Sequence, residues 1–244
     1  MSRTVAIIEA RMNSSRLPGK VLAPIMERPV LERIVERLRA VDQLDQIVIA
    51  TTTNSDDEAI ADLATQLGIG FWRGSEDDVL QRVLDAAHAH EADVIVELTG
   101  DCPLIDPRIV STVIDTYRAA GFDYVSNVLT RSYPIGMDTQ VFSTKVLDDV
   151  ARRTSDPTDH EHVSLFIYRN PDIYSLANVE APEHERRPEL RLTLDTAQDL
   201  YVIRHVFEAL YPQDPKFRLS DMLRWLKDNP DIAVKNADVE HRYV

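Results

Sequence analysis

The stretch VAIIEARMNSSRLPGK, residues 5–20, decides the fold of this 244-residue chain. Its apolar start, Val5 to Ile8, predicts a buried central strand. A polar loop with three cations follows, and beyond the loop apolar residues recur at the spacing of a helix. Strand, cationic loop and helix in this order are typical of α/β proteins that bind a polyanion at the carboxyl end of the sheet. The three loop cations are Arg11, Arg16 and Lys20.

The cationic loop departs from both common phosphate-binding motifs. Ser14 stands at the first glycine position of a Walker loop, and Val21 stands at its Ser/Thr position. Gly68 and Gly70 do not continue into a dinucleotide-binding fingerprint, because Arg73 occupies the third glycine position. We therefore expect side-chain cations to hold phosphate as much as backbone amides do.

Strand-like and helix-like segments alternate through the first half of the chain. Strands are predicted at 47–51, 71–72 and 94–98, with helical patterns between them. This alternation predicts an α/β fold of three layers, with a mainly parallel sheet and helices on both faces. The second half is less regular. It predicts strands at 124–128 and 140–143, helices at about 144–153 and 159–169, and a last core strand at 190–194.

Composition limits the classes of partner. The net charge of −14 argues against a nucleic-acid surface. No apolar run reaches 18 residues and residues 1–20 hold no signal-peptide core, so we expect no membrane span. Cys102 is the only cysteine, which excludes an internal disulfide and favours a reducing, cytoplasmic location.

Charge is unevenly distributed. Residues 1–40 carry +4, which leaves −18 for the remainder, and a cationic patch in an acidic protein suits a small polyanion such as a nucleoside triphosphate. The alternative is that the helix at 29–41 has a solvated basic face. That alternative accounts for the four arginines in and beside the helix better than for the loop cations. The four are Arg28, Arg33, Arg37 and Arg39.

Five blocks of sequence carry a family resemblance. The block ARMNSSRLPGK at 10–20 and the block LTGDCPLIDP at 98–107 are specific, and the blocks at 73–80, 133–138 and 191–196 support them. Together they resemble the sugar cytidylyltransferases, which activate 3-deoxy-manno-octulosonate and acylneuraminates with CTP. The branch that includes the spore coat polysaccharide biosynthesis protein SpsF is the most similar. The resemblance runs from about residue 3 to about residue 210.

The resemblance implies a nucleotide-diphospho-sugar-transferase-like fold of the GT-A type, within a single domain of residues 1–244. A nucleotide-binding half would span 1–122, and a small acceptor-binding and dimerisation lobe with β-strands would span 123–190. The last core strand and the C-terminal helices would occupy 191–244. Related enzymes pair through the second lobe, so we expect a homodimer. The apolar residues taken as exposed there are Phe142, Leu165, Phe166 and Tyr168.

Two aspartates are candidate metal ligands. Asp101 and Asp195 each follow a predicted buried strand, and neighbouring central strands would bring their ends together. Mg²⁺ prefers one or two carboxylates with phosphates and waters. The alternative is that each aspartate only caps the next turn or helix, and the resemblance favours the metal role.

The nucleotide-binding residues follow from the same loop and blocks. Lys20 is predicted to neutralise charge on leaving pyrophosphate, with Arg11 and Arg16 on the triphosphate; Lys20, Arg11 and Asp101 form the catalytic set. The resemblance adds Ala10, Thr99 and Gly100 to the nucleotide-binding set, and it places Asp78 and Arg82 at the base and ribose. An exposed i,i+4 salt bridge is the alternative for Asp78 and Arg82.

The acceptor site is predicted by resemblance alone. Asp138 would bind hydroxyls and Arg191 a carboxylate, while position 140 is Gln where the similar branch usually has Glu. His160 and His162 cannot both hold one ion on a helix, since they point about 200° apart. The acceptor-binding set is Tyr133, Asp138, Glu161, His162 and Arg191.

The residues indicate a Mg²⁺-dependent nucleotidyltransferase, and the resemblance alone implies that it is a cytidylyltransferase, which uses CTP. An acceptor oxygen, from an acidic sugar or a polyol-type compound, would attack the α-phosphorus of CTP and release pyrophosphate. One alternative is a glycosyltransferase of the same architecture, although the Asp-x-Asp common in those enzymes is missing from this sequence. A second alternative is a nucleotide-binding module without turnover, which a pyrophosphate-release assay would distinguish.

Overall fold

A computed structural model describes residues 2–240. A seven-stranded sheet in the order β5-β4-β1-β6-β8-β7-β9 organises the chain, and a two-stranded hairpin of β2 and β3 lies beside it. The strands are β1 (Thr4–Glu9), β2 (Pro24–Ile25), β3 (Arg28–Pro29), β4 (Gln46–Thr52), β5 (Gly70–Gly74), β6 (Val94–Thr99), β7 (Tyr124–Ser126), β8 (Gln140–Ser143) and β9 (Leu176–Asn178).

Strand β1 is central, as the opening stretch predicts. It pairs in parallel with β4 on one side and with β6 on the other. Val5, Ala6, Ile7 and Ile8 are fully buried, because their side chains alternate between the two faces of a covered sheet. Strand β8 runs antiparallel between β6 and β7, so the sheet is mixed and mainly parallel.

Helices cover both faces and complete the three predicted layers. One apolar core contains residues of α1, α2, α4, α8 and α9, and the other contains residues of α3, α5 and α7. None of the helices in the described residues is long and apolar enough to cross a membrane. The helices are α1 (Val30–Leu38), α2 (Glu58–Leu67), α3 (Val79–Ala89), α4 (Pro107–Ala120), α5 (Thr144–Arg153), α6 (Pro157–Glu161), α7 (Leu165–Arg169), α8 (Ala197–Leu210), α9 (Leu219–Asp228) and α10 (Pro230–Ala233).

The predicted last core strand at 190–194 is wrong. Arg191 makes only an isolated bridge with Ile135. The segment divides its backbone hydrogen bonds between two different partners: the Leu192 amide donates to the Ile135 carbonyl, and the Leu194 amide donates to the Asp101 carbonyl. A segment that bridges two loops cannot form a regular ladder with either, so Asp195 is placed by loops and not by a strand end.

The prediction of a single helix at 159–169 is also wrong, because this segment forms two short helices. Helix α6 ends at Glu161 and α7 begins at Leu165. Between them, the Ser164 hydroxyl donates to the Gln140 side chain at 2.7 Å, which fixes this turn to strand β8. The break brings His162 out of the helix and to the rim of the cleft described below.

Two arginines of α1 have a structural role. They belong neither to a phosphate-binding patch nor to a solvated basic face of the helix, which were the two explanations of the basic charge in residues 1–40. Arg33 and Arg37 are buried, not solvated. Neither lines the cleft at the carboxyl end of β1 and β6. Arg33 donates to the carbonyls of Ile25 and Met26, while Arg37 donates to the Ile105 carbonyl and stacks on Phe217. The cationic patch that faces the cleft is therefore limited to the loop after β1.

Candidate active site

A cleft of about 660 Å³ lies at the carboxyl end of β1 and β6. The loop after β1 forms one wall, the end of β6 forms the floor, and residues of α3 and α6 form the opposite wall. This is the edge at which open α/β sheets bind ligands. The residues that line it are Glu9, Ala10, Arg11, Ser14, Ser15, Arg16, Lys20, Val21, Glu76, Asp77, Val79, Arg82, Thr99, Gly100, Asp101, Pro157, Glu161, His162 and Asp195.

Lys20 joins the two predicted metal ligands. Gly19 adopts the left-handed conformation with φ 74° and turns the chain into a short 3-10 turn at Lys20. The Nζ of Lys20 lies 2.7 Å from Asp101 Oδ2 and 2.8 Å from Asp195 Oδ1. Burial opposes the charge of Lys20, yet Asp101 and Asp195 outweigh it and raise the pKa of the ammonium. Lys20 is thus a charged, fixed cation.

Asp195 is the anion at the centre of the cluster. Its Oδ2 accepts from Arg16 at 2.8 Å and also from Arg191. Behind it, Asp199 accepts from Arg191 at 2.8 Å and from the Asp195 backbone amide at 2.9 Å. Burial alone would raise the pKa of Asp195, but Lys20 and the neighbouring guanidinium groups lower it. Asp195 therefore stays ionised inside the fold.

The carboxylate oxygens of Asp101 and Asp195 suit a divalent cation whose remaining ligands come from a bound phosphate compound and from water. Asp101 and Asp195 already hold a cation between them, the Lys20 ammonium. Among the described residues no group of three or more His, Cys, Asp or Glu side chains gathers for a metal. Mg²⁺ commonly takes one or two carboxylates and completes its shell with phosphates and waters. The pair therefore fits such an ion once Lys20 has turned away.

Arg82 lines the cleft, while Asp78 does not. Asp78 caps α3 by accepting from the Gln81 amide at 2.9 Å, and it lies 2.8 Å from His160 Nδ1. Arg82 is buried and donates to the Ser75 carbonyl. An exposed salt bridge between Asp78 and Arg82 is therefore wrong.

The predicted acceptor residues fall into two groups. Glu161 and His162 line the cleft. Tyr133 is buried, Asp138 is held by Arg131 at 2.7 Å, and Arg191 binds Asp195 and Asp199, so none of these three forms part of the cleft wall. Their contact with an acceptor stays a prediction.

Sequence reasoning missed two glutamates in the central strands. Glu9 lines the cleft at the end of β1, and Glu97 is buried in β6. Burial raises the pKa of Glu9 to about 7, although Arg82 counteracts it. Burial and the neighbouring Glu9 raise the pKa of Glu97 well above its usual value. The available signal was one charged residue inside each of two otherwise apolar runs.

The glutamate pair predicts a loss of stability with rising pH. A carboxyl group whose pKa is raised on folding stabilises the protein below its unfolded pKa, and this contribution is lost as pH rises through the folded pKa. The window for Glu9 runs from 4.5 to about 7. We expect the melting temperature to fall as pH rises from 4.5 to about 7, and Glu97→Gln to flatten this fall. Equal slopes in calorimetric scans of the two proteins would contradict the prediction.

The mixed sheet and the cleft of paired cations and carboxylates define an α/β nucleotidyltransferase-like enzyme. Residues 5–221 match the sequence model described as Cytidylyltransferase. The chain belongs to the cytidylyltransferase family, which confirms the resemblance. Since such enzymes transfer a cytidylyl group from CTP, the chain is a CTP-dependent nucleotidyltransferase. This disfavours the glycosyltransferase and the module without turnover.

Individual relatives agree with this assignment. The spore coat polysaccharide biosynthesis protein SpsF of Bacillus subtilis is 33% identical over 240 residues, with 96% of this chain and 98% of that protein covered. A cytidylyltransferase structure from Leptospira borgpetersenii serovar Hardjo-bovis has a TM-score of 0.89 and 29% identity, covering 100% of both chains. CMP:2-keto-3-deoxy-manno-octonic acid synthetase, solved with CTP, shares the fold, with a TM-score of 0.64, 22% identity and coverage of 85% of this chain and 99% of that one.

Proposed function

We propose that the protein transfers CMP from CTP to a hydroxyl group of a sugar acid or related compound, with Mg²⁺, for surface polysaccharide biosynthesis. The observation that carries the proposal is the cluster in which Lys20 joins Asp101 and Asp195 on the floor of the cleft. It combines a cation for departing pyrophosphate with two carboxylates for a metal, and nucleotidyl transfer needs both.

The loop cations bind and hold the triphosphate in this proposal. In the ligand-free fold each has an acidic partner: Arg11 lies 3.4 Å from Glu76, Arg16 lies 2.8 Å from Asp195, and Lys20 bonds both aspartates. Phosphate oxygens offer the same kind of acceptor, so the guanidinium groups exchange carboxylate for phosphate without becoming unpaired. Asp101 and Asp195 would hold Mg²⁺, which would supply charge stabilisation at the phosphates.

The proposed class of acceptor rests on the names of two similar proteins and on the residues at the end of α6 that line the cleft. The name of SpsF refers to polysaccharide biosynthesis, and the synthetase of similar fold makes a CMP sugar acid. Glu161 and His162 line the cleft across from the cationic loop. They offer one acceptor and one donor for hydroxyl or carboxylate groups. The acceptor therefore enters between α6 and the cluster, with its attacking oxygen toward the α-phosphorus.

A pyrophosphate-release screen tests the proposal. Purified protein is incubated with each of the four nucleoside triphosphates, Mg²⁺ and a panel of 2-keto sugar acids and polyols. We expect release with CTP far above ATP, GTP or UTP, dependence on one acceptor class, and no release after chelation. Equal use of all four triphosphates would overturn the nucleotide assignment. Release of a nucleoside diphosphate would instead indicate transfer or hydrolysis of the γ-phosphate.

The homodimer stays part of the proposal, although two of the four residues that suggested it are not exposed. Phe142 and Leu165, two of the four residues taken as exposed, are fully buried in the core. Phe166 and Tyr168 remain partly exposed. Light scattering that finds only a 27.7 kDa species would exclude the dimer.

A further inference from the structure

We propose that Glu9, supported from behind by Glu97, selects the cytosine base of CTP by accepting a hydrogen bond from its exocyclic amino group. The inference deepens the proposed use of CTP and does not depend on the acceptor. Glu9 would thus be a specificity-determining residue, and Glu97 a positioning residue that acts through it.

Glu9 and Glu97 lie side by side on one face of the sheet. In the parallel pairing of β1 with β6, Ile7 lies opposite Glu97 and Glu9 lies opposite Thr99. Side chains two residues apart in a strand point to the same face, so the two carboxyl groups are neighbours. Glu9 Oε1 and Glu97 Oε2 are both buried and have no hydrogen-bond partner within residues 2–240, and one proton shared between the two carboxyl groups would satisfy both atoms.

Glu97 is the protonated partner. It is buried and has no ion pair with a cation in the described part of the chain, whereas the Arg82 guanidinium favours the ionised form of Glu9. A shared proton accounts for Glu9 Oε1 and Glu97 Oε2, two buried oxygens with no other partner among residues 2–240. The Oε2 atom of Glu9 then remains for a ligand in the cleft.

The cleft wall around Glu9 suits a pyrimidine ring. Val79 begins α3, Arg82 follows one turn later, and both line the cleft together with Ala10. Val79 and Ala10 offer apolar surface to a ring face. The Nε of Arg82 is a buried donor that has no partner within the described residues. Glu9 and Arg82 each influence the pKa of the other, so an acceptor and a donor stand close together on this wall.

This acceptor and donor match the edge of cytosine. Cytosine presents an amino donor at position 4, whereas uracil presents a carbonyl oxygen at that position, and carboxylates are known acceptors for the cytosine amine. The ring acceptors of cytosine suit the unpaired Arg82 Nε. With UTP, two oxygens would face each other across the contact with Glu9. The site therefore favours CTP by attraction and disfavours UTP by repulsion.

Equilibrium binding of CTP and UTP to the full chain, measured by calorimetry with Mg²⁺ and without acceptor, tests the inference. We expect the wild type to bind CTP at least about tenfold more tightly than UTP, given the usual size of such contacts. Glu9→Gln should reduce this ratio by about tenfold, since a glutamine amide can rotate to serve either base. Asp62→Asn removes one charge at an exposed position of α2 outside the cleft and should leave the ratio unchanged.

The other results distinguish a wrong inference about Glu9 from a wrong proposal that the protein uses CTP. Glu97→Gln can still donate to Glu9 and should retain the CTP preference, whereas Glu97→Leu should lose it. A Glu9→Gln protein that is folded by circular dichroism and keeps the wild-type ratio would overturn the inference. A wild type that binds CTP and UTP equally would instead refute the proposed nucleotide use itself.

Discussion

Lys20→Ala is expected to lower kcat by roughly 10²-fold or more, with only a modest change in KM for CTP. The charge on pyrophosphate grows as it departs, so a cation that meets that charge acts mainly in the transition state. Lys20 is suited to this role because the short 3-10 turn holds its backbone at the cleft floor, while its side chain is free to turn to pyrophosphate when a metal replaces it between Asp101 and Asp195. Arg16→Ala should instead weaken CTP binding, since Arg16 grips the triphosphate before and during reaction.

A second measurement on Lys20→Ala reports on the cluster without turnover. Removal of the ammonium leaves Asp101 and Asp195 without the cation they share, so the variant should bind Mg²⁺ or Mn²⁺ more tightly than the wild type. Lys216→Ala, at an exposed site, is the matched control. It should change neither kcat nor the affinity for Mg²⁺ or Mn²⁺. If Lys20→Ala raised only KM, Lys20 would be a ground-state anchor, and the catalytic cation would be another residue.

The sequence predicts the sheet and the cationic loop because local patterns determine them. Val5 to Ile8 form an apolar run that only a covered strand can bury, and the capping box of Thr196 and Asp199, which are three residues apart, starts α8. Family motifs also place Asp101 and Lys20 correctly at one edge of the sheet. These features depend on residues that are close together in the chain or fixed by strand ends.

The contacts that shape the site are not local, and sequence patterns do not show them. Asp195 reaches the cleft through a segment whose apolar alternation resembles a strand but whose hydrogen bonds go to two loops. Asn236, which follows α10, is buried and donates to Asp199 at 2.9 Å, so the C-terminal segment also supports the cluster; residues 241–244 lie outside the described residues. Glu97 is recognisable only after the pairing of β1 with β6 brings it to Glu9.

Asp195→Asn is expected to abolish most turnover and to lower stability at the same time. Its carboxylate is shared by Lys20, Arg16 and Arg191, and it is almost completely buried. A neutral amide holds Mg²⁺ poorly, and loss of the metal contact should cost roughly 10²-fold or more in kcat. The amide also leaves three neighbouring cations with less counter-charge, so the melting temperature should fall by several degrees.

Asp101→Asn provides the comparison that separates the two effects. Asp101 is more exposed than Asp195, and Lys20 is its only cationic partner among the described residues. This variant should lose turnover to a similar extent while its melting temperature stays close to that of the wild type. Asp231→Asn, at an exposed position outside the cluster, controls for the change in net charge. Near-normal activity of either cluster variant at limiting Mg²⁺ would remove that aspartate from the metal site, because a true ligand is needed most when the metal is scarce.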